Sequence, residues 1–333
     1  MKDIVTIGSI TKDNFLEIDC EIIDWPKTPS KKALVFPFGE KLEVKNVYSV
    51  LGGNSANASV TFSRLGFNTA CFGKIGDDLA GKEIKNWLKE EGVDSVFSIA
   101  KNKKTAQSTL LLKNGERTIL GYHGASNEWV EDDISWRKLR AKWWYLSLAG
   151  SSSDFFIPLV KFAKENNIKI AFNPSGYHIK YNRQEILDNL KNIDFLVVNE
   201  GEAADLVGIS FENEKEVFKK IDDLMPGIVA VTDGPNGVTV SNGKNIFKAG
   251  TFKERLVADR TGAGDAFGSG FTAGLMKYGK DFNSEEAIKY AISLGTANAT
   301  LVVEKIGATA GIISKKEFDV DRFKNLEINI STL

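Results

Sequence analysis

Short, almost unbroken apolar runs recur along this chain, and they constrain its fold more than any other feature. Trp143 to Leu148, Ile168 to Phe172, Phe195 to Val198 and Ile228 to Thr232 are each too short for a buried helix. Their lack of polar alternation is what strands covered on both faces require. Ile4 to Ile7, ending at Gly8-Ser9, and Thr69 to Gly73 read the same way. Between them lie helical stretches: Glu83 to Glu91, with Ile84, Trp87 and Leu88 on one face, and Asp154 to Asn166. Ala266 to Tyr278 and Glu285 to Val303 supply two late helices. Such alternation predicts an α/β fold, a central mostly parallel sheet flanked by helices.

The pattern breaks in two places. Between residues 15 and 50, short apolar stretches (Phe15 to Ile18, Ala33 to Phe36, Leu42 to Val50) alternate with Pro26, Pro29, Pro37 and Gly39, which predicts short strands of a small β element. Gln107 to Leu112 and Arg117 to Tyr122, joined by Asn114-Gly115, predict a hairpin of the same element. The 333 residues then form a single α/β domain with a small β-sheet lid built from about 14–50 and 105–123. A net charge of -1 supplies no basic field for a nucleic-acid backbone. No apolar run approaches the roughly 20 residues that span a bilayer. The opening Met-Lys-Asp-Ile-Val-Thr-Ile-Gly reads as a first strand rather than an export signal, and two distant cysteines suit a reducing compartment. The expected location is cytoplasmic. His123 and His178 suggest no histidine chemistry.

Chemistry concentrates where strands give way to helices. In Asp259-Arg260-Thr261-Gly262-Ala263-Gly264-Asp265, small residues lead into the helix beginning near Asp265. Their amides can face an oxyanion, aided by the helix N-terminus. A dinucleotide turn would need a glycine where Phe267 stands, whereas a structural helix start alone explains only the acid. A kinase site explains both features: the turn neutralises a transferring phosphoryl group and Asp265 takes the proton of the attacking hydroxyl. Gly76 to Glu83 nearly matches a phosphate-binding Gly-x-x-x-x-Gly-Lys-Ser/Thr loop, but Glu83 replaces the Mg²⁺-ligating hydroxyl and Asp77-Asp78 would face the phosphates. It is read as a loop and helix cap. Gly52-Gly53-Asn54-Ser55-Ala56-Asn57 suits either a polyol site, with Asn57 donating and accepting, or an ordinary helix start.

With these motifs in this order, the chain resembles the ribokinase-like (phosphofructokinase B-type) carbohydrate kinases over nearly its whole length. The resemblance implies a ribokinase-like fold and Asp265 as base, with Gly262, Ala263 and Gly264 as anion hole. It also implies acceptor binding by Asp13, Gly52, Gly53 and Asn57, with Arg117 and Asn127 reaching in from the lid. Asn199-Glu200-Gly201-Glu202 is similar to the family's Asn-x-x-Glu element. That implies Asn199 near ATP and Glu202 acting indirectly on Mg²⁺. Thr232, Gly234 and Gly237 match the nucleotide loop, and Asn298 the segment flanking adenine. Asp259 matches one ligand of a monovalent cation such as K⁺. Arg260 replaces a small or hydroxylated residue, and either contacts ATP phosphates or pairs with Asp259.

The expected activity is transfer of the ATP γ-phosphoryl to a hydroxyl of a small sugar, with no nucleic-acid or membrane partner. Two departures weigh against ribose: Thr11 stands where ribokinases carry Asn, and Ser147-Leu148-Ala149 supplies no acid after its strand. The alternative within the family is a nucleoside (adenosine-type) kinase, for which Phe36, Phe38, Tyr122 and Trp144 are the aromatic residues available. A non-catalytic sugar- or nucleotide-binding protein is the remote alternative. The resemblance further implies that lid strands could pair two copies into a homodimer.

Overall fold

The apolar runs are strands of one large sheet. The computed structural model describes residues 1–27, 30–113 and 116–333, so the turns at Pro29 and Asn114-Gly115 lie outside the described residues. In chain order the strands are β1 (Lys2–Gly8), β2 (Thr11–Ile18), β3 (Glu21–Asp24), β4 (Lys32–Val35), β5 (Val44–Gly52), β6 (Thr69–Gly76), β7 (Asp94–Ala100) and β8 (Gln107–Lys113). They continue with β9 (Glu116–Tyr122), β10 (Ala141–Ser147), β11 (Lys169–Phe172), β12 (Phe195–Asn199), β13 (Ile228–Thr232), β14 (Val238–Ser241), β15 (Asn245–Ala249) and β16 (Ile328–Thr332). The main helices are α1 (Asn54–Arg64), α2 (Leu79–Glu90), α3 (Phe156–Glu165), α4 (Gly176–Asn189), α5 (Glu200–Val207), α6 (Glu214–Asp222), α7 (Ala263–Tyr278) and α8 (Glu285–Val303).

The large sheet runs β16-β15-β14-β13-β12-β11-β10-β1-β6-β7. From β13 to β7 every pairing is parallel, and β14, β15 and β16 close one edge antiparallel. On β10, Trp144 and Leu146 enter the core on one face, while Trp143 and Tyr145 enter the core on the other, beside Phe267 and Phe271 of α7. An uninterrupted apolar run is the sequence signature of this double burial. Trp144 is fully buried, its indole N–H donates to the Leu139 carbonyl, and its ring stacks on Phe162, so it is unavailable to any ligand. His178 is buried between Phe156 and Phe172, and loss of solvent pushes its pKa down to about 4.

A second, four-stranded sheet has the order β5-β2-β8-β9. Its outer pairs are antiparallel, and its central pair, β2 with β8, is parallel. The pieces expected from residues 15 to 50 do not all join it. β3 and β4 pair only with each other, while β2 starts earlier than expected, at Thr11. The loop reading of Gly76 to Glu83 matches the geometry. Asp78 Oδ1 accepts from Gly81 N at 2.9 Å and Thr105 Oγ1 at 2.6 Å, capping α2, while Glu83 pairs with Lys12 at 2.7 Å.

The segment after β9 is tied to the sheet by a buried ion pair. Lys74 Nζ donates to Asp133 Oδ2 at 2.7 Å and to the Glu128 carbonyl at 2.5 Å, and Val130 N donates to the same carboxylate oxygen at 2.7 Å. Removing one member of such a pair leaves the other charge uncompensated. Asp133→Ala should therefore cost about 3–5 kcal/mol of stability, read by chemical denaturation. The double variant Lys74→Met/Asp133→Leu should recover most of that loss.

Candidate active site

The start of α7 is shaped by Asp259, a buried side chain. Its Oδ1 accepts from Thr261 N at 2.9 Å and Thr261 Oγ1 at 2.7 Å, and its Oδ2 accepts from Gly307 N at 3.2 Å. Thus Asp259 staples the turn to the segment after α8. The chain then passes through Gly262 at φ 79°, where a Cβ would collide with that of Ala308. Only glycine meets both demands, the left-handed backbone and the close approach. Helix α7 follows without a side-chain cap; the Ala263 amide makes only a long 3.4 Å bond back to the Arg260 carbonyl, and no partner is found among the described residues for those of Gly264 and Asp265. Nothing lies within 4 Å of a Cβ built on Gly264, leaving the positive end of the helix open.

Asp265 stands in this first turn, half-buried. Asn57 of α1 donates its Nδ2 to Asp265 Oδ2 at 3.0 Å, joining the two glycine-rich motifs. Loss of solvent pushes the Asp265 pKa up to about 6; Asn57 opposes the shift, and the charges of Asp13 and Glu202 add to it. Asn57 is itself buried, and its Oδ1 has no hydrogen-bond partner. An orphaned buried acceptor is costly unless a bound donor completes it. Alongside, Asp13 at the start of β2 is buried, with Oδ1 accepting from Thr11 Oγ1 at 2.7 Å. Its carboxyl is raised by desolvation, against hydrogen bonds from Thr11 and Ser108, with Asp259 adding repulsion. Gly52 makes room for it, because a Cβ there would strike the Asp13 carboxylate. Gly53, which precedes α1, turns the chain at φ 91°. Asn54 Nδ2 donates to Ser147 Oγ at 3.1 Å, so the end of β10 presents a hydroxyl where an acid was sought.

On the other side of the α7 terminus is a cavity of about 220 Å³. Thr232 at the end of β13 and Gly234 and Gly237 from the turn after it line it, as do Ala263, Gly264 and Phe267. The α8 residues lining it are Thr296, Ala299, Thr300 and Val303, one helical stripe. Asn298 falls off that stripe and does not line the cavity. It is fully buried, with Nδ2 donating to Ala266 O at 2.8 Å and Oδ1 accepting from Ile313 N at 2.9 Å. Its amide is spent joining α8 to α7 and to residue 313. Asn199 and Glu202 cap α5 reciprocally, Asn199 Oδ1 accepting from Glu202 N at 2.8 Å and Glu202 Oε2 from Asn199 N at 2.9 Å. Desolvation raises the Glu202 carboxyl, the Asn199 amide lowers it, and Asp205 raises it further.

The two residues expected to reach in from the lid stand differently. Asn127 buttresses the loop after β10, its Oδ1 accepting from Ser151 N at 3.2 Å. Arg117 is exposed on outer strand β9, opposite Leu112, whereas Asp13 is opposite Ser108. Four residues of strand separate those levels, about 13 Å. Tyr145 also lies here without any signal in the motifs: its hydroxyl accepts from Asn173 Nδ2 at 3.2 Å in the field of Asp265. Its place in an apolar strand concealed it.

Among the described residues, no group of three or more His, Cys, Asp or Glu side chains is arranged to hold a metal ion by itself. Yet among the described residues the charges that act on the carboxylates of Asp13, Asp265 and Glu202 are those of further acids: Asp259 acts on Asp13, Asp13 and Glu202 on Asp265, and Asp205 on Glu202. That concentration of negative charge fits a site completed by a cation arriving with an anionic ligand.

Comparison with known proteins places nearly the whole chain in one family. The description pfkB family carbohydrate kinase matches residues 1–315. The chain is 28% identical over 298 residues to a ribokinase of Lactococcus lactis subsp. lactis, covering 88% of this chain and 92% of that protein. It is 26% identical over 321 residues to an adenosine kinase of Saccharomyces cerevisiae, covering 91% of each. The structure of Arabidopsis thaliana ribokinase complexed with ribose and ATP superposes with a TM-score of 0.75 at 24% identity, covering 97% of this chain and 99% of that one. The chain belongs to the pfkB family of carbohydrate kinases.

Proposed function

We propose that this protein transfers the γ-phosphoryl of ATP to a hydroxyl of a small, uncharged sugar, with Asp265 as general base. The observation that carries the proposal is the Asn57–Asp265 hydrogen bond at the open N-terminus of α7. It puts one carboxylate between a polar cluster suited to hydroxyls and a cavity suited to a nucleotide. Asp265 takes the proton of the acceptor hydroxyl, whose oxygen attacks the γ-phosphorus as the bridging oxygen leaves with ADP. The amides of Ala263 and Gly264, beyond the Gly262 turn, meet the charge on the transferring group. Asp13 and the free Oδ1 of Asn57 orient the acceptor, with Gly52 and Gly53 allowing its approach. Thr232, Gly234 and Gly237 form the nucleotide wall.

Mg²⁺ carried on the phosphates would supply the missing positive charge, with Glu202, fixed by Asn199, organising its waters. Both oxygens of Asp259 already accept protein hydrogen bonds. A K⁺ ion beside the turn would therefore rely mainly on backbone carbonyls. The small sheet, within segments 14–50 and 105–123 of a single domain, acts as the lid that excludes water. Its outer strand β9, exposed along its length, suits pairing with a second copy.

Lack of charge in the acceptor follows from the electrostatics. Among the described residues no cation acts on Asp13, Asp265 or Glu202, so a sugar phosphate would enter an uncompensated negative field. One observation favours the nucleoside reading: Tyr48 and Ile119, partly exposed, share the Asp13 face of the small sheet by register. They offer an apolar surface to a base.

ADP production across pentoses, hexoses, sugar phosphates and nucleosides distinguishes these readings. Turnover with free sugars is expected; selectivity for nucleosides would shift the assignment, and a preference for sugar phosphates would refute the charge argument. Asp265→Asn should lower kcat by at least ~10²-fold while ATP still binds, and near-normal turnover would remove Asp265 as base. Because the base must be ionised, kcat/KM of the wild type should fall as pH drops through about 6 and level off above it. Asp13→Ala should raise the acceptor KM far more than the ATP KM; equal effects would take Asp13 out of the acceptor site.

A further inference from the structure

Among the described residues lining the nucleotide-side cavity, the charged side chains are Glu254 and Arg260. Arg260 immediately precedes the α7 turn, and its carbonyl accepts from Ala263 N at 3.4 Å, so its backbone belongs to the anion-facing loop. The side chain is exposed and free of hydrogen bonds or ion pairs to other described residues. It forms no ion pair with the adjacent acid: Asp259 is buried and directs its oxygens at Thr261 and Gly307. No ion pair with Glu254 forms either. An unpaired guanidinium therefore stands at the mouth of a cavity whose inner end is a helix N-terminus.

We propose that Arg260 binds the terminal phosphates of the nucleotide, supplying from within the chain the fixed cation that the acidic site lacks. This rests on the assignment of the cavity to ATP. A helix terminus carries only about half a unit of positive charge, whereas a triphosphate and the nearby carboxylates present several negative charges to one small volume. A guanidinium is always protonated, and its planar fork matches two phosphate oxygens at once. A cation held beside the transferring group follows its charge from ground state to transition state. The arginine thus raises affinity for the bound nucleotide and speeds transfer.

The test is calorimetric titration of ATP, ADP and AMP, with Mg²⁺ present, into the wild type, Arg260→Ala and Arg260→Lys, which needs no knowledge of the acceptor. Arg260→Ala should weaken ATP and ADP on the order of tenfold or more and AMP much less, as expected of a charged bidentate contact. Arg260→Lys should lie between, retaining charge without the fork. Equal affinities in wild type and Arg260→Ala would overturn the assignment while leaving the kinase reading intact. So would a uniform loss across all three nucleotides, the mark of a contact to base or ribose. A wild type that binds none of them would refute the nucleotide cavity itself, and this assignment with it.

Discussion

One hydrogen bond, from Asn57 to Asp265, joins everything the proposed chemistry needs. Its partners lie on α1 and α7, 208 residues apart in sequence. A bond to an ionised group contributes about 1.5–3 kcal/mol, but here geometry matters more than energy. It fixes a carboxylate that burial would otherwise leave free to turn or to protonate. The packing beneath sustains it: Ser269 Oγ donates to Thr61 Oγ1 at 2.9 Å, and Asn298 Nδ2 reaches the same hydroxyl at 3.2 Å. Buried polar contacts between helices set their rotation more narrowly than apolar contacts do. The Asp265 carboxylate, the proposed base, is thus held by a network of buried polar contacts between α1, α7 and α8.

Two opposed electrostatic demands meet within this small volume. The first turn of α7 offers positive amides, and the side chains around it are acidic. Burial, with the charges of Asp13 and Glu202 adding to it, makes ionisation of Asp265 costlier, so its pKa is pushed up to about 6. A base in that range is still ionised at neutral pH and accepts a proton more readily than an ordinary carboxylate. The structure therefore tolerates repulsion that a purely structural site would have relieved by pairing each acid with a lysine or arginine, as it does at Lys74–Asp133 and Arg64–Glu91. Arg260, the one unpaired cation among the described residues lining the cavity beside α7, lies on the side proposed for the nucleotide.

The fold was readable from pattern where elements are long or doubly buried. Helix α8 runs from Glu285 to Val303 as its periodicity implies, and the runs at 195–198 and 228–232 are strands. The antiparallel edge, β14 to β16, was not recognised, because Val238-Thr-Val-Ser and Asn245-Ile-Phe-Lys-Ala resemble any short polar hairpin. β7 was missed for a related reason: at the opposite edge, with Asp94, Ser95 and Ile99 exposed, it has no clean period.

By itself the sequence determined what is local. Gly262 and Gly264 specify a turn that bares helix amides, and Asp265 falls in the first turn whatever the rest of the chain does. The apolar runs dictate a covered parallel sheet. Only the tertiary structure decided which distant groups meet, since that depends on how helices are rotated and which strands pair. It brought Asn57 to Asp265, made Gly52 the space for Asp13, turned Asn298 inward to bind helices together, and set Arg117 well along an outer strand. It also turned the Asp259 oxygens to backbone and threonine donors and left Arg260 without a partner among the described residues. A motif records residue types at a spacing; the direction of each side chain is settled by packing, where a helix turn of 100° per residue separates lining residues from buried ones.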